Sequence, residues 1–578
     1  MIDRHGVARV LEEIGTLLEL QGESPFRVRA FQNAARTLGA LDGEIGELLR
    51  SGELAKVKGF GPATLEIVRE LVETGVSSAH RELRERTPDG LLELLGVPGL
   101  GARRIHTLYT KLGIESLEDL ERALGEGAVA TLPGFGKKTQ QKLLEGVTFL
   151  RSVAGRRRRP EALAVAAGIV ELLGAHEDVV RLEVAGALRR GLETVDGLEL
   201  VAAVRDAASV VDAFLELPGL GRAERQGEAE GRAWSPDGLE VRLRCVPPGS
   251  FVPALVHATG SPEHWAALIE RAEAAGLRLD EAALTRGGAP LALEDEAALY
   301  AALGLAYLPP EMREGQGEIE CAAAGDVPRL IAYGDLRGCF HNHTTYSDGR
   351  ATVREMAEAA LARGWRYLGI ADHSRAAAYA GGLDLDEIAR QHDEIDAWNE
   401  ERGYELWLFK GIEADILPDG RLDYADEDED VLARFDYVVG SVHSSFGLPL
   451  AEQTERVIRA MDNPQLTFLG HPTGRLLLSR RGYEIDIGAV IEVAAERGVA
   501  IEINSNPWRL DMDWRHWREA KERGVKTALN PDAHGVEGLD DVAYGVTVAR
   551  KGWLTAEDVV NAWPLEEVAR FFQSRRQG

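Results

Sequence analysis

The spacing of hydrophobic positions changes three times along the 578-residue chain. Residues 1–150 place apolar side chains at helical spacing, in segments of roughly 10–15 residues that end at glycine-bearing turns. After a helix at 161–174, short β-type runs such as VVRLEVAG and LEVRLRCV follow, and residues 259–315 return to helical spacing. From Asp335 onward, short apolar strands alternate with helices, which is typical of a (β/α) barrel. The pattern predicts a multidomain α/β protein that begins with an all-α region and ends with a barrel.

Length and composition describe a globular protein of several domains. A chain of 578 residues is too long for one core, and about three to five domains are expected. Hydrophobic residues make up 45% and charged residues 28% of it, with no run of about 18 apolar residues that could span a membrane. Three scattered cysteines, Cys245, Cys321 and Cys339, are typical of a reducing compartment. We therefore expect a cytoplasmic protein with no membrane partner, and take a monomer as the default.

The net charge of −29 argues at first against a nucleic-acid partner. The charge is unevenly distributed, however: residues 1–160 carry 24 Lys and Arg against 22 Asp and Glu, whereas the remainder carries 42 against 73. The N-terminal part is therefore free to meet a polyanion. Its most basic point is the RRRR run at 156–159, which is equally consistent with a solvated linker and with a phosphate contact.

Three segments of the all-α region repeat the pattern Gly-apolar-Gly followed by a helix. They read VKGFGPATLEIVREL, VPGLGARRIHTLYTKL and LPGFGKKTQQKLLEGV. Two glycines around one hydrophobe make a tight turn between helices, with the apolar residue in the core and the backbone N–H groups facing outward toward a phosphate oxygen. This is the helix-hairpin-helix motif, which contacts DNA backbones without reading sequence. A single such turn is usually only a helix cap, but three in one frame predict DNA binding.

The DNA-binding candidates are the turn glycines and the cations that follow them. They are Gly59, Gly61, Gly99, Gly101, Gly134 and Gly136, with Arg103, Arg104, Lys137 and Lys138. Ordinary surface charge is the alternative for the cations.

The barrel region contains a series of metal-ligand candidates, most at the ends of short apolar runs, where (β/α) barrels keep their chemistry. They are His341, His343, Asp348, His373, Glu413, His443, His471, Asp532 and His534. His341 and His343 are two residues apart, as are Asp532 and His534, so each pair projects to one side of a strand. Imidazoles and carboxylates without a thiolate suit Mn, Zn or Fe, and such ions activate water against a phosphate ester. A lone histidine is more often a hydrogen-bonded surface residue, and we assign that role to His392 and His516.

Residues 335–578 resemble a PHP (polymerase and histidinol phosphatase) domain, a distorted (β/α)7 barrel. The resemblance implies two to three divalent ions: one held by His341, His343, Glu413 and Asp532, one shared through Glu413 with His443 and His471, and one held by Asp348, His373 and His534. It makes Glu413 and Asp532 catalytic candidates. Arg475 and Arg509 are candidate phosphate clamps, with a salt bridge at the barrel rim as the alternative, and Asp372 is a candidate supporting residue.

Over essentially its whole length the chain resembles a bacterial family X DNA polymerase, which adds a nucleotidyltransferase-like α/β palm and a thumb. The implied domains are an 8-kDa-like helical domain at 1–80 with the first hairpin, a fingers-like helical domain at 81–155 with two hairpins, a palm at 156–258, a thumb at 259–316, a linker at 317–334 and the PHP barrel at 335–578. The partner implied is DNA with a gap, a nick or a free 3′ end, bound without sequence specificity.

The palm motif of that family is degenerate in this chain. The frame is kept at Gly186, Arg190, Glu193 and Thr194, but the serine position is Ala187. The three metal-binding aspartates correspond to Gly197, Glu199 and Arg242. Arginine is a permanent cation where two Mg or Mn ions should bind, so we expect no metal pair in the palm and predict an Arg242–Glu199 ion pair instead.

Two further positions depart from the family. Trp265 and Ile269 stand where the family commonly offers Asn and Arg to the nucleotide, and Ile67 replaces the Schiff-base lysine of its lyase members.

The leading hypothesis is a DNA-repair enzyme whose PHP barrel is a Mn- or Zn-dependent phosphodiesterase. It trims 3′ ends as a 3′–5′ exonuclease or incises abasic sites as an endonuclease. One alternative is a Mn-dependent gap-filling polymerase that works despite the altered palm. A second is a DNA-end-binding scaffold without either activity, and a small-molecule phosphatase is disfavoured by the three hairpins.

Overall fold

A computed structural model describes residues 4–40, 45–57, 59–425 and 431–577. The chain forms two compact units, Met1–Ala154 and Gly155–Gly578. Among the described residues, no helix is both long and apolar enough to cross a bilayer.

The first unit is all α, as the helical spacing predicted. Its helices are α1 (Arg4–Leu20), α2 (Pro25–Ala40), α3 (Ile45–Arg50), α4 (Pro62–Thr74), α5 (Ser78–Arg86), α6 (Asp89–Glu93), α7 (Ala102–Leu112), α8 (Leu117–Gly125) and α9 (Lys137–Val153). They pack around two apolar cores, one that includes Leu11 and Phe31 and one that includes Leu94 and Ile105. The first unit therefore has two separate apolar cores.

The second unit begins with the palm, a mixed five-stranded sheet in the order β2-β4-β7-β6-β5 with a two-stranded ribbon of β1 and β3 beside it. The elements are β1 (Arg157–Arg158), α10 (Arg159–Gly174), β2 (Val179–Val184), α11 (Gly186–Arg189), β3 (Thr194–Val195), β4 (Gly197–Val204), α12 (Ala207–Leu215), β5 (Ala223–Arg225), β6 (Glu230–Trp234) and β7 (Glu240–Val246). β4 and β7 are parallel neighbours at its centre. The two strands that carry the altered aspartate positions therefore lie side by side.

The thumb follows as helices around a small three-stranded sheet, β10-β9-β8. It comprises α13 (Phe251–Thr259), α14 (Pro262–Ala274), β8 (Arg278–Leu279), β9 (Leu284–Arg286), β10 (Ala289–Pro290), α15 (Glu296–Ala302) and α16 (Glu318–Ala324). In the segment 317–334, which the sequence predicts to be a linker, Ile319, Ala322 and Leu330 pack in the same apolar core as the thumb helices. Their apolar side chains are buried, and this burial holds the segment in place.

The barrel has six regular parallel strands in consecutive order. Its elements are α17 (Val353–Ala362), β11 (Tyr367–Ile370), α18 (Leu385–Arg402), β12 (Trp407–Asp415), β13 (Tyr437–Ser441), α19 (Leu450–Met461), β14 (Leu466–Leu469), α20 (Ile487–Arg497), β15 (Ala500–Asn504), α21 (Trp517–Glu522), β16 (Thr527–Asn530), α22 (Val542–Lys551) and α23 (Leu565–Gln577).

An extended segment, 339–343, takes the seventh place. Its carbonyls accept from Gly369 and Ala371 at the β11 edge, and His343 N donates to Ala533 O beyond β16. The distorted seven-membered barrel is therefore confirmed.

Aromatic side chains fill the lower end of the barrel. Phe340, Tyr367, Phe409 and Phe468 form one buried cluster with Phe572 of α23. Close packing of these rings excludes water from that end. The open end is the carboxyl end of the strands, where the polar motifs stand.

Candidate metal centre

All nine candidate ligands meet at the carboxyl end of the barrel. Glu413 is in β12, while His373, His443, His471, Asp532 and His534 lie just beyond the strands that precede them, and His341 and His343 are on the extended segment. Parallel strands end at the same edge, so residues far apart in sequence are brought together. Six of the nine are buried; the side chain of His443 is 9% exposed, and those of Asp348 and His534 are each 36% exposed.

Glu413 lies at the centre of the cluster. Its Oε1 atom is 3.3 Å from His341 Nε2, 3.3 Å from His443 Nε2 and 3.0 Å from His471 Nε2. Its Oε2 atom is 2.9 Å from His373 Nδ1. One carboxylate therefore faces four imidazoles, as a bridging ligand should.

Two aspartates complete the centre. Asp532 Oδ1 lies 3.2 Å from His343 Nε2. Asp348 Oδ1 lies 3.3 Å from His534 Nε2 and 3.7 Å from His373 Nε2. The carboxylates are thus distributed among the histidines and do not repel one another at a single point.

Three groups have ligand atoms within 4.8 Å of one another: His343, Asp348, His373 and His534; His341, His343 and Glu413; and His373, Glu413 and His443. The structure therefore brings the predicted residues together but shares His343 and His373 between neighbouring groups. His471 and Asp532 are adjacent, through Glu413 and His343.

The donor set fits divalent ions. Within the described residues, several buried atoms of the centre have no hydrogen-bond partner: His341 Nε2, both ring nitrogens of His343, His373 Nδ1, His471 Nδ1 and Glu413 Oε2. Buried polar atoms are normally hydrogen-bonded, because an unpaired one costs about 1–3 kcal/mol. Here the atoms crowd together without hydrogen-bond angles, which is the arrangement of ligands around shared ions.

Carboxylates behind the ligands fix the histidine tautomers. Glu502 Oε2 is 2.7 Å from His341 Nδ1, and Asp415 Oδ1 is 2.6 Å from His443 Nδ1. If each carboxylate accepts the Nδ1 proton, Nε2 is left as the ligand atom. Neither residue was singled out from the sequence, although each gave a signal. Glu502 is a lone acid in the apolar run VAIEIN, and Asp415 is two residues from Glu413 on the same strand face.

Asp372 supports the loop that carries Asp348. Its carboxylate accepts from Thr344 N and Oγ1, from Ser347 N and from Gln391 Nε2. Asp372 therefore has the supporting role that was expected, but it supports the loop of Asp348 and not His373.

The cluster holds its carboxylates ionised. Burial favours the neutral form, but His341, His443 and His373 keep the pKa of Glu413 well below its ordinary value, and His341 does the same for Asp532. Burial lowers the pKa of His443, yet Glu413 and Asp415 outweigh it and raise that pKa to about 10. Divalent ions would replace these protons and neutralise the same carboxylates.

Two ligands have left-handed backbones, with φ of 23° at His471 and 52° at Asp532. Such conformations cost of order 1–3 kcal/mol in a residue with a side chain, and they cluster at functional sites. Each residue lies two positions beyond a strand end, at the mouth of the barrel.

The two candidate arginines differ in their contacts. Arg509 Nε is 3.4 Å from Asp532 Oδ2, so its guanidinium lies at the centre. Arg475 donates through Nε to Arg509 O, through Nη1 to Asp513 and through Nη2 to Glu193 of the palm. These contacts favour the rim salt bridge for Arg475, which holds the segment that carries Arg509.

Comparisons with known proteins agree with this division of the chain. A helix-hairpin-helix domain matches residues 3–77, a SAM-like helix-hairpin-helix tandem residues 91–147, the DNA polymerase beta thumb residues 254–314 and the PHP domain residues 340–506. A probable phosphatase of Caldanaerobacter subterraneus is 30% identical over 41% of this chain and 91% of its own length. The DNA polymerase/3′-5′ exonuclease PolX of Bacillus subtilis is 38% identical over 98% of this chain and 99% of its own length. The chain belongs to the PolX family.

The altered catalytic positions of the PolX-type palm lie on one face of its sheet. Glu199 of β4 and Arg242 of β7 are direct neighbours in the parallel register. Gly186 has φ of 62°, and a Cβ there would come within 3.1 Å of the Glu199 side chain. Burial raises the pKa of Glu199, and the nearby arginines only partly offset this. A carboxyl group whose pKa is raised is a weaker metal ligand, because it must ionise before it can bind a pair of metal ions.

The predicted Arg242–Glu199 ion pair is wrong. Arg242 Nε lies 2.6 Å from Glu240 Oε1, and Arg232 Nε approaches the same oxygen to 2.5 Å. Glu240 is two residues before Arg242, so both project to one face, and it is held between two cations. Arg232, Arg242 and Arg244 line a cleft of about 460 Å³ with Glu199.

The other departures also have structural roles. Trp265 makes an edge contact with His257 at 4.8 Å, and Ile67 is buried in the first helical core. Ile269 is half-buried on α14.

The hairpin turns of the PolX-family N-terminal unit have the expected form. Gly59, Gly99 and Gly134 have positive φ, and the second glycine of each turn precedes the first residue of α4, α7 or α9. The apolar residues between them, Phe60, Leu100 and Phe135, are buried. Nothing lies within 4 Å of a Cβ built at Gly61, Gly99, Gly101, Gly134 or Gly136. The turns are therefore open to a backbone approaching from outside.

Cations stand beside the second and third turns. Arg103, Arg104, Lys137 and Lys138 are exposed at the first residues of α7 and α9. Arg104 donates to Gly99 O and lies 5.9 Å above the Phe135 ring, so it connects these two turns.

The RRRR run is neither a solvated linker nor a free phosphate site. Arg156 donates to Thr194, Arg157 to Asp237, Arg158 to Glu161 and Arg159 to Leu188 O, all within the palm. The run anchors the first residues of the second unit.

Proposed function

We propose that the chain is a DNA-repair 3′–5′ exonuclease whose chemistry takes place at the carboxyl end of the PHP barrel. The observation that carries this is the Glu413-centred cluster, in which several buried nitrogen and oxygen atoms have no hydrogen-bond partner among the described residues. The Bacillus relative, which is named as both polymerase and 3′–5′ exonuclease, supports the reaction class.

Two to three divalent ions bound by the nine ligands, with Mn, Zn or Fe suited to this donor set, would supply an activated water and neutralise phosphate charge. The chain's own residues orient the reaction. Glu502 and Asp415 hold His341 and His443 in the ligating tautomer. Arg509 would stabilise charge on the transferred phosphoryl group. Arg475 would position Arg509 by donating a hydrogen bond to the Arg509 carbonyl oxygen.

The hairpins would direct this site to DNA. Three outward-facing turns, two of them with exposed cations, suit backbone phosphates and carry no base-specific contacts. A gapped, nicked or free 3′ end would then be bound without sequence preference. We infer that the protein acts as a cytoplasmic monomer.

Polymerase activity would be weak or lost. Nucleotidyl transfer needs carboxylates that share two metal ions. On the palm face Glu199 is in register with Arg242 and beside Gly197, and the other carboxylate there, Glu240, is already bound by two arginines. Three arginines in the same cleft would repel divalent cations.

One experiment separates the candidate functions. A gapped duplex with a 5′-labelled primer is incubated with Mn and deoxynucleotides. Shortening that disappears in His341→Ala supports the exonuclease. Extension that persists in His341→Ala and disappears in Glu199→Ala contradicts this assignment in favour of the polymerase, and binding without either product favours the scaffold.

A further inference from the structure

An exposed tyrosine stands at the edge of the metal centre. Tyr379 is 74% exposed, yet its ring centroid is only 6.3 Å from that of His373 and 6.5 Å from that of His443. Both contacts are tilted or edge-on, so neither imidazole is stacked on a face of the tyrosine ring. A large aromatic side chain left in water beside a catalytic centre is available to a substrate.

The loop that carries Tyr379 is held rigidly. Tyr379 occupies the centre of a 3₁₀ turn, Ala378–Ala380, in which Ala380 is buried, as is Ala377 just before it. Ala376 N donates a hydrogen bond to the Asp423 carboxylate, and Leu383 N donates one to His373 O. The backbone that carries the tyrosine is therefore held beside His373 before any ligand arrives.

Gly382 allows the loop to close against the strand end. A Cβ at this position would lie 1.9 Å from Ser374 O, so no other residue fits without moving the backbone.

The surroundings suit a nucleotide. Arg509 and Arg480 are within electrostatic range of the Tyr379 hydroxyl, as are Asp415 and Glu413 of the centre. An aromatic face for the base thus adjoins cations and metal ligands for the phosphate. Trp508, another exposed aromatic of the barrel, differs because the Arg158 guanidinium covers one face at 3.1 Å.

We propose that Tyr379 is the stacking platform for the base of the 3′-terminal nucleotide, the one that the exonuclease releases. This base is joined to the scissile phosphate through a single sugar, so it must rest beside the ligands that hold that phosphate. Stacking tolerates every base, which agrees with hairpins that do not read sequence. The inference rests on the exonuclease function proposed above and makes the substrate a frayed or single-stranded 3′ end, since a paired base presents no free face.

The test removes the 3′-terminal base of the DNA and the aromatic ring of Tyr379 in separate arms. Two labelled strands are compared in Mn, one with a normal 3′-terminal nucleotide and one whose terminal nucleotide is abasic. The full-length protein is used as wild type, Tyr379→Ala and Tyr379→Phe. Tyr404→Ala is the matched control, because Tyr404 is 84% exposed and precedes β12, at the opposite end of the barrel.

The wild type should cleave the normal end about tenfold faster than the abasic end, and Tyr379→Ala should cleave both at the slower rate. Tyr379→Phe and Tyr404→Ala should retain the wild-type ratio, with unchanged metal content in all variants. A ratio that persists in Tyr379→Ala, or a Phe variant as slow as the Ala variant, overturns the stacking role. A wild type that cleaves neither end contradicts the proposed function itself, and this inference with it.

Discussion

The barrel mouth and the palm face both gather charged side chains on neighbouring strands, but these charges are neutralised in opposite ways. In the palm, one oxygen of Glu240 is shared by Arg232 and Arg242 at 2.5 and 2.6 Å. In the barrel, Glu413 is surrounded by imidazoles, and its Oε2 accepts no hydrogen bond from the described residues. Charges in the palm are neutralised by side chains, whereas those in the barrel are left for ions.

The difference shows why an arginine, unlike a histidine, is incompatible with a metal site. Imidazole can give up its proton and ligate, whereas guanidinium cannot in a protein. Replacing one carboxylate by arginine therefore removes a ligand and also supplies a permanent competitor for the cation site. Acidic residues that remain, such as Glu199, would then be unable to hold a metal pair even though they keep their place.

The largest expected effect comes from breaking the barrel cluster. Asp532→Ala removes a ligand next to His343 and should lower exonuclease activity at least about 10³-fold, with loss of bound metal measured by elemental analysis. Glu199→Ala in the palm should leave both unchanged. Equal losses in the two variants would show that the palm also takes part in the chemistry.

Glu296 of the thumb tests whether internally neutralised carboxylates serve stability. It lies 2.7 Å from Arg189 and 2.6 Å from Arg313. Glu296→Gln should lower the free energy of unfolding by about 3 kcal/mol, measured by urea titration, since the buried Arg313 and the half-buried Arg189 lose their charged partner. Burial raises the pKa of Glu296, but the arginines outweigh it and lower that pKa to about 2.

The pH dependence of this contribution has a definite sign. The stabilisation is present above the unfolded pKa and is lost as the pH falls toward about 2. The Gln variant should lack this part of the acid sensitivity, and exonuclease activity at neutral pH should be retained. An activity loss without a stability loss would contradict the structural role.

Glu502 should have a smaller effect on activity than the ligands. Glu502→Gln leaves one acceptor oxygen for contacts that include His341 Nδ1, Asn504 Nδ2 and Asn530 Nδ2. Metal affinity should fall about 10–100-fold, as is usual for residues that orient a ligating histidine. Metal titration of this variant beside the surface variant Glu492→Gln checks the prediction. Equal metal affinities of the two variants would show that Glu502 does not support the metal site.

The smallest effect is expected at the hairpins. Lys137→Ala with Lys138→Ala removes two exposed charges beside the third turn, so DNA affinity should fall several-fold and the slope of log K against log salt by about 2. Cleavage at saturating DNA should be unaffected. Lys111→Ala, an exposed cation at the last turn of α7, is the control, and an equal loss there would assign the effect to net charge.

Local spacing predicted much of the molecule. The alternation of strands and helices predicted the barrel, and the two-residue spacing of His341 and His343 placed both on one side of an extended segment. Glycine pairs around one apolar residue predicted the hairpins, because tight turns limit the residues that fit. In each case the pattern lies within a few residues, where backbone geometry dictates what can form.

Contacts between distant segments could not be predicted in this way. Arg475 lies 3.1 Å from Glu193, 282 residues away, and no local pattern links a palm residue to a barrel loop. The Arg242 prediction was wrong because Glu240, on the same strand face, competed with Glu199. Tyr379 gave no signal because its importance depends on which side chains the fold places beside it.

The end of α22 determines what can be cut away from this protein. Lys551 is fully buried, with its ammonium 2.5 Å from Glu314 of the thumb and bonded to Arg190 O of the palm, and Trp553 is part of the thumb core. A truncation that kept only the PHP segment would leave this lysine without its carboxylate and expose the tryptophan. The palm and thumb are therefore part of what keeps the last helices of the barrel buried, so the barrel cannot be excised at its own sequence boundary without a cost in stability.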